Sequence, residues 1–153
     1  MESLLPSGHE GETHILASEL TIARQKSHLV LYIEDNAANL RLVERIFERR
    51  PAIELISASH GLPGLELVQA RQPDVVLLDV NLPDVSGEEV LRRIRADPLT
   101  STIPVVILSA DANYRQLQLL LEAGAVAYLT KPIDIHDLLH TVDGLIQVQN
   151  RQS

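Results

Sequence analysis

The stretch VVLLDVNLPDVSG, Val75 to Gly87, decides how the chain is read. Four apolar residues, Val75 to Leu78, run straight into a carboxylate, Asp79, and the turn formers Asn81, Pro83, Asp84 and Gly87 follow. A run that is apolar at consecutive positions reads as a strand buried on both faces. An acid that closes such a strand is most often a turn former or a helix cap. It also stands where a nucleophile at the rim of a sheet would be placed, and the rest of the chain has to decide between the two.

Outward from this segment the same unit recurs. HLVLYIED, from His28, is a short apolar run that closes on two acids, and NLRLVERIFERR then sets Leu40, Val43, Ile46 and Phe47 at helical spacing. IELISAS reads as a strand and GLPGLELVQARQ as a helix with Pro63 near its start, where a missing N–H costs little. After Asp79 comes the helix GEEVLRRIRAD, with Arg92, Arg93 and Arg95 expected as a solvated basic cluster. IPVVILSA and AVAYLTKP are further strands; YRQLQLLLEAG is a helix closed by Gly124, and IDIHDLLHTVDGLIQVQ a helix with Asp134 as its N-cap. Five alternations of strand and helix predict an α/β fold, an open doubly wound parallel sheet covered by helices on both faces.

Composition sets the bounds. The 153 residues suit one domain, and a hydrophobic fraction of 45% is enough for a core. Aromatics make up 3%, so an aliphatic core is expected. With no cysteine, disulfides and thiolate metal sites are excluded, which fits a reducing, cytoplasmic setting. A formal net charge of −8 argues against direct nucleic-acid binding. No apolar run approaches the roughly 20 residues of a membrane helix, and the acidic N-terminus lacks the basic start of a secretory signal. Residues 1–27 read as an N-terminal extension, loosely ordered. Within it Leu16, Leu20 and Ala23 could share a helical face, or Leu16, Leu20 and Ile22 a strand face.

In doubly wound folds, ligands sit outside the carboxyl ends of the strands. The predicted strand ends carry Glu34 and Asp35, Asp79, Ser109, and Lys131 followed by Pro132. Each alone has a structural reading; together they bring three acids, a hydroxyl and a lysine to one rim. Three neighbouring carboxylates raise one another's pKa values, and a hard divalent cation relieves the repulsion. Mg2+ suits such oxygen ligands. An ionised aspartate can attack phosphorus, and Mg2+ with Lys131 would offset the charge that accumulates during the transfer.

These segments, LYIEDN, VVLLDVNLPDVSG, IPVVILSA and AYLTKP, resemble the receiver domain of two-component response regulators, the family of the bacterial chemotaxis regulator. The resemblance covers residues 28–148 and leaves 149–153 as a C-terminal tail. It implies a flavodoxin-like sheet of order 2-1-3-4-5 with five helices. It further implies that Asp79 is the phospho-acceptor and that Asp35 binds Mg2+ directly, with Glu34 assisting through water. The backbone carbonyl of Asn81 would complete the metal shell, and Ser109 and Lys131 would contact the phosphoryl group. Lys131–Pro132 would be cis, and Tyr128 matches the switch aromatic. The donor would be a histidine kinase or histidine phosphotransfer protein. The output would be a downstream protein target, or a homodimer formed through the fourth helix, fifth strand and fifth helix, with Leu119 exposed there. No enzymatic activity beyond self-catalysed phosphoryl uptake and loss is expected.

Other readings are weaker. An aspartyl-phosphate phosphatase resembles D-x-D, whereas the chain has Asp79-Val80-Asn81. A scaffold would not need the full acid–hydroxyl–lysine set. No G-x-G-x-x-G or Walker A motif supports nucleotide binding. His136 and His140 are four apart on a helix but have no third ligand in view, so they read as surface histidines. The chain is expected to be a stand-alone regulator or a receiver module cut from a hybrid kinase.

Overall fold

In a computed structural model, residues 27–110 and 113–152 are described, and the apolar positions noted at Leu16, Leu20, Ile22 and Ala23 lie outside them. The elements alternate as expected: β1 (His28–Ile33), α1 (Ala37–Phe47), β2 (Ile53–Ala58), α2 (Gly61–Arg71), β3 (Val75–Asp79), α3 (Gly87–Ala96), β4 (Val105–Ser109), α4 (Tyr114–Glu122), β5 (Ala127–Thr130) and α5 (Ile135–Gln152). All pairings are parallel and the strand order is 2-1-3-4-5. The last helix runs to Gln152, three residues past the Gln149 at which its sequence pattern was expected to end.

The period of two along the strands divides the core into two layers. Val30, Tyr32, Val75, Leu77, Val106 and Leu108 face α1 and α5, where Val43, Ile46, Phe47, Leu138 and Val142 meet them. Leu31, Ile33, Val76, Leu78 and Ile107 face the other way, onto Val68 of α2, Val90, Leu91 and Ile94 of α3 and Leu120 of α4. The core is not purely aliphatic as expected. Tyr32 has no exposed surface and Phe47 has 4%. One large ring at the centre of a layer fills the volume that several methyl groups would otherwise supply.

Four helix starts are capped by side chains of their own N-cap residues. Asn36 accepts from Asn39 N, Ser86 from Glu89 N, and Asn113 from Gln116 N. Asp134 accepts from Asp137 N at 3.0 Å at the start of α5, as its sequence position predicts. α2 differs. His60 precedes it without a side-chain cap bond, and Asp84, from the loop after β3, accepts from Gly61 N and Leu62 N at 2.8 Å each.

Arg95 corrects the expected solvated cluster. Arg92 and Arg93 do lie on the wet face, each paired with Glu89. Arg95 instead turns in and donates to the carbonyls of Gly124 (2.7 and 3.1 Å), Ile103 (2.7 Å) and Ser101 (3.2 Å). Gly124 follows α4 at φ +115, a backbone state that disfavours side chains, and a Cβ there would meet Arg95 at 2.7 Å.

Candidate functional site: an acidic cluster at the sheet rim

Strand register builds the site. Ile33 pairs with Leu78, Asp79 with Leu108 and Ser109 with Thr130, so the carboxyl ends of β1, β3, β4 and β5 reach one rim together. The helix that follows β3 is drawn close: Gly87 N donates to Val80 O at 2.9 Å, and a Cβ at Gly87 would lie 2.7 Å from the Asp79 carbonyl. A glycine is therefore required where α3 begins, directly behind the acid.

The structure brings Glu34, Asp35 and Asp79 together, with one carboxylate oxygen from each lying within 4.8 Å of the others. Glu34 is 1% exposed and Asp79 5%, whereas Asp35 faces solvent. Lys131 Nζ lies 2.7 Å from Glu34 Oε1 and 3.4 Å from Asp79 Oδ1. The Asn81 backbone N–H is directed at Asp79 Oδ1, at 3.4 Å. Ser109 is buried at the end of β4, and its carbonyl accepts from Lys131 N at 2.8 Å. The Lys131–Pro132 bond is cis. Tyr128, three residues before Lys131, is 40% exposed on β5 and lies outside the cluster.

Burial alone would protonate both inner acids, and the surroundings separate them. For Asp79, burial and then the neighbouring Glu34 raise the pKa from 3.8 to about 6, with Lys131 opposing. For Glu34, burial raises the pKa, but the hydrogen bonds from Lys131, Tyr32 and Asp79 outweigh it, and the value falls below the ordinary range. The proton shared by the pair therefore sits on Asp79, whose carboxyl ionises just below neutrality.

Two members were missed from the sequence. Tyr32 donates its hydroxyl to Glu34 Oε1 at 2.7 Å, and Asn39 Nδ2 donates to the same oxygen at 3.2 Å. The signal for Tyr32 was present: it precedes Glu34 by two in a strand, so both point to the same face. His136 and His140 are exposed on α5 and belong to no cluster of three metal-ligating side chains among the described residues.

The donor set fits a hard divalent cation. All the side-chain ligands are oxygen, and a single lysine faces three carboxylates, so the cluster remains net negative.

A doubly wound sheet of order 2-1-3-4-5 with acids and a lysine at its rim defines a class, and sequence comparison agrees. The response regulator receiver domain matches residues 30–143, and the chain belongs to that family. The polar-differentiation response regulator DivK of Brucella anthropi is 33% identical over 113 residues, covering 74% of this chain and 91% of DivK. The transcriptional regulatory protein CseB of Streptomyces coelicolor is 42% identical over 105 residues, covering 69% of this chain and 43% of CseB. Among solved structures, a CheY-like receiver domain protein from Methanospirillum hungatei superposes with a TM-score of 0.75 at 25% identity, covering 82% of this chain and 98% of that one. The receiver domain of the sensor histidine kinase PA1611 from Pseudomonas aeruginosa superposes with a TM-score of 0.71 at 26% identity, covering 78% and 98%; it holds a magnesium ion in its active-site cleft. The chain is thus a receiver domain of the two-component response regulator family, a family whose members interact with kinases and downstream targets. No helix of the described residues is long and apolar enough to cross a membrane.

Proposed function

We propose that Asp79 is the phospho-acceptor of a cytoplasmic signalling switch, charged by a histidine kinase or histidine phosphotransfer protein in a Mg2+-dependent reaction. The observation that carries this reading is the convergence of Glu34, Asp35 and Asp79 within 4.8 Å, with Lys131 Nζ 3.4 Å from Asp79. Asp35 and Asp79, with the Asn81 carbonyl, would hold the cation, and Glu34 would act through water. The bound ion supplies positive charge against the phosphoryl oxygens.

The chain's own residues do the rest. An Asp79 carboxylate oxygen attacks phosphorus as the phosphorus–nitrogen bond of the donor phosphohistidine breaks. The bonding pair goes to the imidazole nitrogen, which takes up a proton. Attack requires ionised Asp79; even without the cation, where burial and Glu34 raise its pKa to about 6, it is mostly ionised at neutral pH. Lys131 balances one phosphoryl oxygen and the Ser109 hydroxyl contacts another. Residues 28–148 make up this module. Its activity is limited to phosphoryl uptake and loss at its own aspartate. The same module serves a stand-alone regulator or a hybrid kinase.

The test is incubation with Mg2+ and a small acyl phosphate, followed by intact mass measurement. One phosphoryl group is expected on wild type and none on Asp79→Asn or on wild type with the metal chelated. Stable labelling of Asp79→Asn would refute the assignment.

A further inference from the structure

Tyr32 is the largest fully buried side chain among the described residues, and its place in the core needs only a ring. A phenylalanine would fill the same volume. The hydroxyl is nevertheless present, and it is aimed at Glu34, where it donates to Oε1 at 2.7 Å. Lys131 Nζ at 2.7 Å and Asn39 Nδ2 at 3.2 Å donate to the same oxygen. The other oxygen, Oε2, receives the Asn36 backbone N–H at 3.2 Å. A carboxylate oxygen offers about two lone pairs. Oε1 is therefore committed to the protein, and Oε2 is the oxygen with capacity toward the cluster.

Glutamate needs such a clamp. It has one more rotatable bond than aspartate, and an unheld carboxylate would spread over several rotamers. Donors from three separate elements, β1, α1 and the end of β5, fix it in one of them. Tyr32 and Asn39 also share the charge of Glu34, so Lys131 is not its sole partner and stays within 3.4 Å of Asp79.

We infer that Tyr32 is a positioning residue of the cation site: its buried hydroxyl orients Glu34 and thereby sets the affinity for a divalent cation. The inference rests on the proposed reading of the acidic cluster as a Mg2+ site. Partners behind a direct metal ligand are worth about ten- to a hundredfold in metal affinity, and Glu34 acts on the ion through water, one step further out. Because Lys131 and Asn39 remain, the lower end applies to a single deletion.

The experiment is calorimetric titration of the full chain with Mg2+ for wild type, Tyr32→Phe, Asn39→Ala, Glu34→Ala and the double variant Tyr32→Phe/Glu34→Ala. Tyr32→Phe is expected to raise Kd about tenfold, and Asn39→Ala to raise it less. In the Glu34→Ala background, Tyr32→Phe is expected to change nothing further. A purely structural role would produce the same loss in both backgrounds, and that result would overturn the inference. So would a Kd for folded Tyr32→Phe within about twofold of wild type. Should Tyr32→Phe fail to fold, Asn39→Ala carries the test, since the half-buried Asn39 reaches the same oxygen from the first turn of α1. Failure of wild type to bind Mg2+ would remove the underlying site reading as well, which separates the two failures.

Discussion

Asp79 and Glu34 divide one proton and one lysine between them, and this makes metal-free stability depend on pH. The folded-state pKa of Asp79 is raised, from 3.8 to about 6. A raised pKa contributes stability that is present below the ordinary value and lost as pH rises through the folded value. Between about pH 4 and pH 7 the metal-free protein should therefore lose stability from this residue, by no more than about 3 kcal/mol. Asp79→Asn should remove that slope and raise Tm near neutrality. Thermal melts in chelator across the range check this, and a Tm that climbs from pH 5 to 7 in wild type alone would contradict it. At the same scale, Asp35→Ala should weaken Mg2+ binding more than Glu34→Ala. Asp35 is exposed and free to turn toward an ion, whereas Glu34 already has one oxygen committed to Tyr32, Lys131 and Asn39. Calorimetry giving the reverse order would refute the assignment of direct and assisting ligands.

At the scale of elements, two long-range contacts substitute for local signals. Asp84 caps α2 from the loop that leaves β3, and the two backbone N–H groups it accepts, with Leu62 first, hold its pKa down at about 2. Asp84→Ala should lower Tm at neutral pH. Wild type should lose the same contribution only in strong acid, as pH falls through about 2, since a depressed pKa stabilises above its ordinary value. Arg95 ties the end of α3 to the turns before β4 and β5. Arg95→Ala strands three partly buried carbonyls and should cost about 2–3 kcal/mol, whereas Arg92→Ala should stay within about 0.5 kcal/mol. Denaturant melts of the pair separate the two residues.

These contacts also show what sequence could and could not reveal. Strand ends, helix faces and the cap at Asp134 are local, so hydrophobic period and turn chemistry expose them; the caps at Asn36 and Ser86 are equally local but go unread in the sequence pattern. Asp79, Glu34, Asp35 and Lys131 could be gathered because a parallel sheet sends every strand end to one side. The cap from Asp84 spans 22 residues and the bond from Arg95 to Gly124 spans 29, and nothing in the local pattern encodes either. Arg95 looked solvated because it sits among Arg92 and Arg93, but at 100° per residue it falls beside the buried Leu91 one turn back, at the edge of the core-facing stripe. Tyr32 was read only as one member of an apolar run, because a strand pattern registers its ring and is blind to its hydroxyl.

At the scale of the whole molecule, the question is how a rim only a few ångströms across reaches a partner. The face made by α4, β5 and α5 carries the exposed apolar groups Leu119 (51%) and Tyr128 (40%), with Val126 (48%) in the turn that leads into β5. Leu117 and Leu120 are buried behind it and Leu121 is half-buried, which leaves Leu119 outward on α4. β4 and β5 connect this face to the rim, since Ser109 pairs with Thr130 and Lys131 N donates to Ser109 O. A phosphoryl group on Asp79 adds charge and strong acceptor oxygens beside these two strand ends. Ser109 should move toward them, and Tyr128 should turn inward into the space released, changing the apolar face that a partner or a second copy would contact. A switch of this kind needs differential binding: moving a population from mostly outward to mostly inward takes about 5 kcal/mol, and a partial shift takes less. Ser109→Ala should therefore weaken the coupling without abolishing phosphoryl uptake, and Tyr128→Ala should leave uptake intact while flattening the dependence of association on phosphorylation. The measurement is sedimentation or partner capture of wild type, Ser109→Ala and Tyr128→Ala, each with and without full phosphorylation. If both variants respond to phosphorylation as strongly as wild type, the route through β4 and β5 is wrong, even with Asp79 correctly assigned.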